Sequence, residues 1–312
     1  MLTQYPLSLK LGECPVWIPD RQRLFFLDIA DKKLYGFDPI SGTNAILSLE
    51  TFPLETLTGC IVPCENGNFL IAAQNGIQEV RPEVRSSGNR LEILRTLAHP
   101  EADNIGNRYN DGKCSPEGRF WFGSLNRNHE KNRASLYCLD ANYTDTNCQD
   151  TTQCRKILTG ATNSNGLGWS PDGNTFYWID TPARRIEAFD YDKTGGNLSN
   201  RRTVIRFADD LSWGRPDGMT VDAAGNLWVA HWAGGRITHW NPQTGESIQT
   251  VPLPLQNVTS LTFGGTDEDT LFITSAHSDN DSNEETESGN RSGNLFAFKP
   301  AIGGIPAAKF SS

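Results

Sequence analysis

The sequence predicts an all-β fold, a six-bladed β-propeller in which residues 1–312 form a single domain. Three observations predict it. A three-part phrase recurs six times along the chain. Each phrase is filled by apolar, β-branched and aromatic runs of strand length. Gly, Pro and Asp punctuate the runs. The middle runs are "LFFLDI", "NFLIAA", "RFWFGS", "TFYWID", "NLWVAH" and "TLFITS". The third runs are "KLYGFDP", "GIQEVRP", "SLYCLD", "RIEAFDY", "RITHWNP" and "NLFAFKP". Spread over 312 residues, six units average about 52 residues each, within the range of propeller repeats. One small antiparallel sheet cannot bury both faces alone, whereas radial packing of blades buries them and leaves only short edges. A sandwich would also give regular short strands, but it does not call for six copies of one phrase.

Within each unit a short run ends at a turn signal such as "PEG", "PDG" or "AAG", and the middle and third runs follow. A fourth strand is expected in "AILSL", "LEILRTL", "RTVIRF" and "SIQTVPL". The segment around "YPLSLKL" is expected to close the ring by adding an edge strand to the last blade. The stretch "SDNDSNEETESGNRSG", Ser278 to Gly293, reads as an acidic loop joining two strands of that blade. It lacks the oxygen spacing of an EF-hand.

The net charge of −9 and the pI near 5.1 argue against a nucleic-acid partner, because an acidic surface repels phosphate. No apolar run approaches the ~20 residues of a membrane span. The opening "MLTQYPLSLKLGEC" lacks a basic segment followed by a continuous apolar one, so a cytoplasmic protein is expected. Seven cysteines, an odd number without an export signal, read as free thiols, with Cys148 and Cys154 placed to pair under oxidation. No paired CxxC clusters suggest zinc, and the five histidines form no HExxH pair. His231 ends a middle strand and could border the channel. No GxSxG elbow, P-loop or dinucleotide fingerprint is present.

The repeat also defines a register. Stepping back six residues from the turn positions Pro19, Cys64, Pro116, Pro171, Ala223 and Gly265 reaches Glu13, Thr58, Asn110, Asn165, Asp217 and Thr259. In a propeller the first strand of each blade lines the central channel, so these positions should form a ring at one end of it. Every member bears an oxygen. Two carboxylates converging on an axis repel each other unless a cation intervenes, and oxygen-only ligands suit hard divalent ions. Glu13, Asn165 and Asp217 are the expected direct ligands, with Asn110 close by or acting through water. A ring that merely caps its strands and binds water is the alternative.

At these residues the sequence resembles the SMP-30/gluconolactonase family over nearly the whole chain. The motifs are "LGECPVW", "NRYNDGKCSPEGRFWFGS", "SNGLGWSPDGNTFYWID", "FDYD", "NRR" and "RPDGMTVDAAGNLWVA". The resemblance implies a six-bladed propeller with one divalent cation in its channel, calcium ahead of zinc, manganese or magnesium. It implies hydrolysis of sugar lactones to aldonic acids. It places the metal ligands on Glu13, Asn165 and Asp217, and substrate contacts on Arg108 and Asn110. Relatives carry an acidic sugar-contacting residue where Asn128 stands here, beside His129 and Glu130, which leaves the sugar preference open. Asp217 as a ligand of the ion, or Asp111 from behind the ligands, is the expected proton acceptor, Asp217 first. A calcium-binding propeller without catalysis, or a lactonase or esterase of other preference, is the competing reading. The expected partner is a small lactone, with no nucleic acid and no membrane.

Overall fold

The computed structural model describes residues 2–39, 48–140, 153–277 and 293–311. These residues build six four-stranded antiparallel sheets arranged as the blades of a propeller. The innermost strands are Gly12–Ile18, Thr58–Pro63, Asn107–Cys114, Ser164–Trp169, Arg215–Val221 and Val258–Gly264. Each pairs with a second strand: Arg23–Asp28, Phe69–Ala73, Phe120–Asn126, Thr175–Asp180, Leu227–Trp232 and Thr270–Ser275. The second strands coincide with the six middle runs of the sequence. Their Phe, Trp, Leu and Ile side chains are buried because neighbouring blades cover both faces. Outer strands such as Glu246–Pro252 are mostly exposed.

Two strand assignments shift. The fourth strand of the first blade is Glu50–Pro53, C-terminal to the predicted "AILSL", of which residues 45–47 lie outside the described residues. Ring closure is made by Leu2–Tyr5, which pairs antiparallel with Leu295–Phe298 of the last blade. The closing strand therefore overlaps the "YPLSLKL" segment at Tyr5, while Leu9 of that segment is buried and hydrogen-bonded to Gly293. The predicted acidic loop 278–293 lies outside the described residues apart from Gly293. The six described cysteines are free and buried, and Cys148 lies outside the described residues. Among the described residues no helix is long and apolar enough to cross a membrane.

A feature not foreseen from the repeat is the C-terminal segment, which crosses the end of the channel away from the ring. Gly304 bridges to Asp222 of the fifth blade, and Phe310 bridges in parallel to Cys64 of the second. Backbone bonds join Ser311 to Gly118 and Gly304 to Glu268, at 3.1 and 2.8 Å. A Cβ on Gly304 would stand 2.2 Å from Phe263, so only glycine lets the strap lie this close. The strap thus ties four blades across the channel mouth.

His231 does not border the channel. Its ring packs edge-on against Phe207 and Trp213, and its Nε2 lies 2.7 Å from Thr238 Oγ1. Burial pushes its imidazole from 6.5 down to about 4. As pH falls, the unfolded chain takes up this proton before the folded one does. The stability contributed by the neutral ring is therefore full above about 6.5 and lost as pH falls through about 4, up to roughly 3 kcal/mol. His231→Gln should flatten the fall in Tm between about pH 7 and pH 4. An unchanged slope would remove His231 as its source.

Candidate active site

The register positions do meet at one end of the channel, and a common backbone device aims them. In all six blades the pairing of first and second strand slips at the ring position. The slips lie between Glu13 and Val16, Thr58 and Cys60, Tyr109 and Gly112, Asn165 and Leu167, Pro216 and Met219, and Val258 and Ser260. An extra residue in one strand bends it and re-aims a side chain, and here it does so six times around an axis. Cys14, next to Glu13, takes φ +45°, an uncommon conformation for a residue with a Cβ. The strands also approach closely: a Cβ on Gly166 would stand 2.7 Å from Asp217 O.

Glu13, Asp111 and Asp217 are all buried. Desolvation first, then the Asp111 carboxylate, pushes Glu13 up to about 8. Asp217 is raised well above its ordinary value, by burial first and then by Glu13 and Asp111. Asp111 is raised by burial. Asn165 donates through Nδ2 to Asp217 Oδ1 and, at 3.0 Å, to Thr181 Oγ1. Thr181 in turn donates to Pro216 O at 2.9 Å. With the amide nitrogen so committed, Asn165 Oδ1 is buried without any hydrogen-bond donor. A buried, unanswered acceptor is rare and calls for an explanation. This oxygen belongs to the same cluster as two carboxylates that repel each other, and a hard cation fits that donor set. Among the described residues no group of three or more His, Cys, Asp or Glu side chains is arranged for a metal.

Other ring members are spent locally. Thr259 donates to Gly12 O at 2.6 Å, tying the last blade to the first. Thr58 donates to Thr56 O at 3.3 Å. Asn110 points its oxygen at Arg108 Nη1, 2.8 Å away, and its nitrogen at Ser164 O, 2.9 Å away. It therefore orients the guanidinium, which also donates to Tyr109 O. Burial lowers Arg108 to about 10, and the Glu13 and Asp217 carboxylates oppose that shift. Asn128 is exposed in the turn after Phe120–Asn126, and no described hydrogen bond joins its side chain to the ring.

Three participants escaped the sequence reading. Thr181 sets the Asn165 amide. Lys113 reaches across the channel to Met219 O at 2.9 Å. Buried Glu101 accepts from Ser124, Tyr137, Asn104 and Asn107, and so pins the loop leading to Arg108. The adjacent "NDGK" hinted at Lys113, but nothing local marks the other two.

Fold and cluster together define a six-bladed propeller with an oxygen-rich site on its axis. Comparison places it further: the profile of the SMP-30/Gluconolactonase/LRE-like region matches residues 11–277, and the chain belongs to this family. It is 36% identical to regucalcin of Xenopus laevis over 274 residues, 86% of this chain and 84% of that one. It is 32% identical over 301 residues to a Bacillus subtilis protein carrying the name sugar lactone lactonase YvrE, covering 96% and 95%. A solved luciferin-regenerating enzyme superimposes with a TM-score of 0.85 at 27% identity, over 100% of this chain and 99% of that one.

Asp217→Asn removes one buried charge and keeps the shape. In metal-free protein the parent should lose stability as pH rises from about 4.5 through about 8, where the folded state has to give up protons it holds more tightly than the unfolded chain does. The variant should melt at or above the parent near pH 8, with a flatter slope. A variant that melts well below the parent there would show that the carboxylates do not crowd each other.

Proposed function

We propose that this chain hydrolyses sugar lactones to aldonic acids with the help of one divalent cation, calcium first among the candidates. The carrying observation is the unanswered Asn165 Oδ1 grouped with the buried carboxylates of Glu13 and Asp217. These three residues would hold the ion. When bound, it supplies a Lewis acid for the lactone carbonyl and lowers the pKa of a water. A zinc preference would ask for nitrogen or sulfur donors, and the three ligands offer only oxygen.

The chain's own groups account for the rest. Arg108, held by Asn110 and Tyr109 O, offers its remaining N–H donors to sugar hydroxyls and to negative charge developing on the carbonyl oxygen. Asp217 takes the proton of the attacking water, with Asp111, on the innermost strand of the third blade, next in line. Attack on the carbonyl carbon is followed by cleavage of the ring C–O bond. The proton then passes to the departing alkoxide, leaving a carboxylate and a free hydroxyl. Asn128, at the rim, is the residue for contact with the distal part of the sugar. The family profile and the lactonase name of the Bacillus relative support this reaction class.

Chelation should abolish lactone hydrolysis followed by base uptake, and calcium should restore it. Calcium at a hundredfold excess over Kd should also stabilise the fold by about 2.7 kcal/mol. Full turnover in verified metal-free protein would overturn the reading, whereas a calcium-stabilised protein inert towards a lactone panel would favour a binding protein.

Arg108→Ala should lower kcat/KM for gluconolactone by roughly 10²-fold, with calcium affinity little changed. Equal losses on a simple unsubstituted lactone would confine Arg108 to the carbonyl oxygen. Loss of calcium binding would mean that Arg108 shapes the ion site instead.

A further inference from the structure

The channel has a second end. Beyond the ring the six innermost strands continue to Ile18, Pro63, Cys114, Trp169, Val221 and Gly264. Between them and the strap lies a cavity of about 340 Å³. That is at the small end of the ~300–1,000 Å³ of ligand pockets. Its walls are mainly aliphatic, with Val16, Val62, Val221 and Leu261 on the strands and Ile305 on the strap. The end nearest the ring is polar, where Lys113 and Asp111 face in.

Lys113 is the unexplained group. An ammonium has three donors, and the one acceptor found for it among the described residues is Met219 O, at 2.9 Å. No described carboxylate lies within ion-pair distance; burial pushes the ammonium's pKa down, and Asp111 opposes this through space. A cation held inside a channel with so few partners is costly unless something answers it. The nearby charges also favour an anion. Glu13, Asp111 and Asp217 are opposed by Arg108, Lys113 and, on the reading above, a divalent cation, which leaves one positive charge in excess.

We propose that this far chamber binds a medium-chain aliphatic carboxylate, its head on the Lys113 ammonium and its tail among Val16, Val62, Val221, Leu261 and Ile305. Entry runs past the strap, where Ile305 is 46% exposed. The polar ring stands between this ligand and the lactone, so both occupy the channel at once from opposite ends.

The test uses octanoate on the full chain, titrated calorimetrically in calcium-loaded and calcium-free protein, with 1-octanol as the uncharged control. Octanoate should bind with a Kd below ~1 mM, more tightly with calcium and more tightly than octanol. Lys113→Met should weaken octanoate at least about tenfold and leave octanol unchanged. Ala308→Trp, which fills the mouth from the strap side, should exclude both. No octanoate binding in the parent overturns the proposal. So does octanoate binding that survives Lys113→Met but disappears without calcium, because the carboxylate would then sit on the ion. Octanol binding as tightly as octanoate would make the chamber a plain apolar cavity and would equally overturn it. Should Lys113→Met fail to fold, Ala308→Trp and the octanol control still decide, and neither depends on lactone turnover.

Discussion

The repulsion between buried carboxylates on the axis is the constraint around which the rest is organised. Glu13 and Asp217 come from blades far apart in sequence, and ring closure forces them together. Desolvation holds both well above the usual carboxylate range, with Asp111 adding to Glu13, and Glu13 and Asp111 adding to Asp217. A fold tolerates such a cluster only if something opposes it. Arg108 opposes it in part from the substrate side and Lys113 from the strap side. The rest of the opposition is assigned above to a divalent ion.

The ring is built by backbone irregularity as much as by side chains. A regular first strand would alternate its residues between the two faces of the blade. The slip in pairing that recurs at the ring position in all six blades breaks that alternation where the channel narrows. The positive φ of Cys14 is part of the same local bend. Hydrogen bonds then fix the outcome. Asn165 is turned by Thr181, and Arg108 by Asn110, so neither the amide nor the guanidinium is free to choose its orientation. On the proposed reading, this pre-set geometry would let three oxygens from different blades serve one ion without rearrangement.

Much of this was legible in the chain, for a physical reason. A repeat of about 52 residues carries its own register, so one turn signal per unit locates every inward-facing position. Glu13, Asn165 and Asp217 were found that way. What the register cannot show is which oxygens remain available. Thr259 looked like a ring hydroxyl, but it is consumed by Gly12 O, the bond that joins the last blade to the first. Asn110 stands at a ring position, and its oxygen is taken by Arg108. The closing strand was misplaced by a few residues because "LTQY" and "YPLSLKL" are equally extended in pattern. Only pairing with Leu295–Phe298 distinguishes them. The strap was invisible because the last residues carry little periodicity, and their role rests on long-range bridges to Asp222 and Cys64.

The strap also changes what the channel is. Without it the six inner strands would enclose a tube open at both ends, and water would reach Asp111 and Lys113 from below as freely as it reaches Arg108 from above. By covering part of one end, the strap limits the solvation of the carboxylates, which raises their repulsion and, by the same step, favours a cation. The two ends consequently differ in chemistry. One offers amide, guanidinium and carboxylate groups to a polar ligand. The other offers aliphatic walls and a single ammonium. Lys113 and Asp111, two residues apart on one strand, mark the boundary, and any ligand below them shares their electrostatics with the ring above.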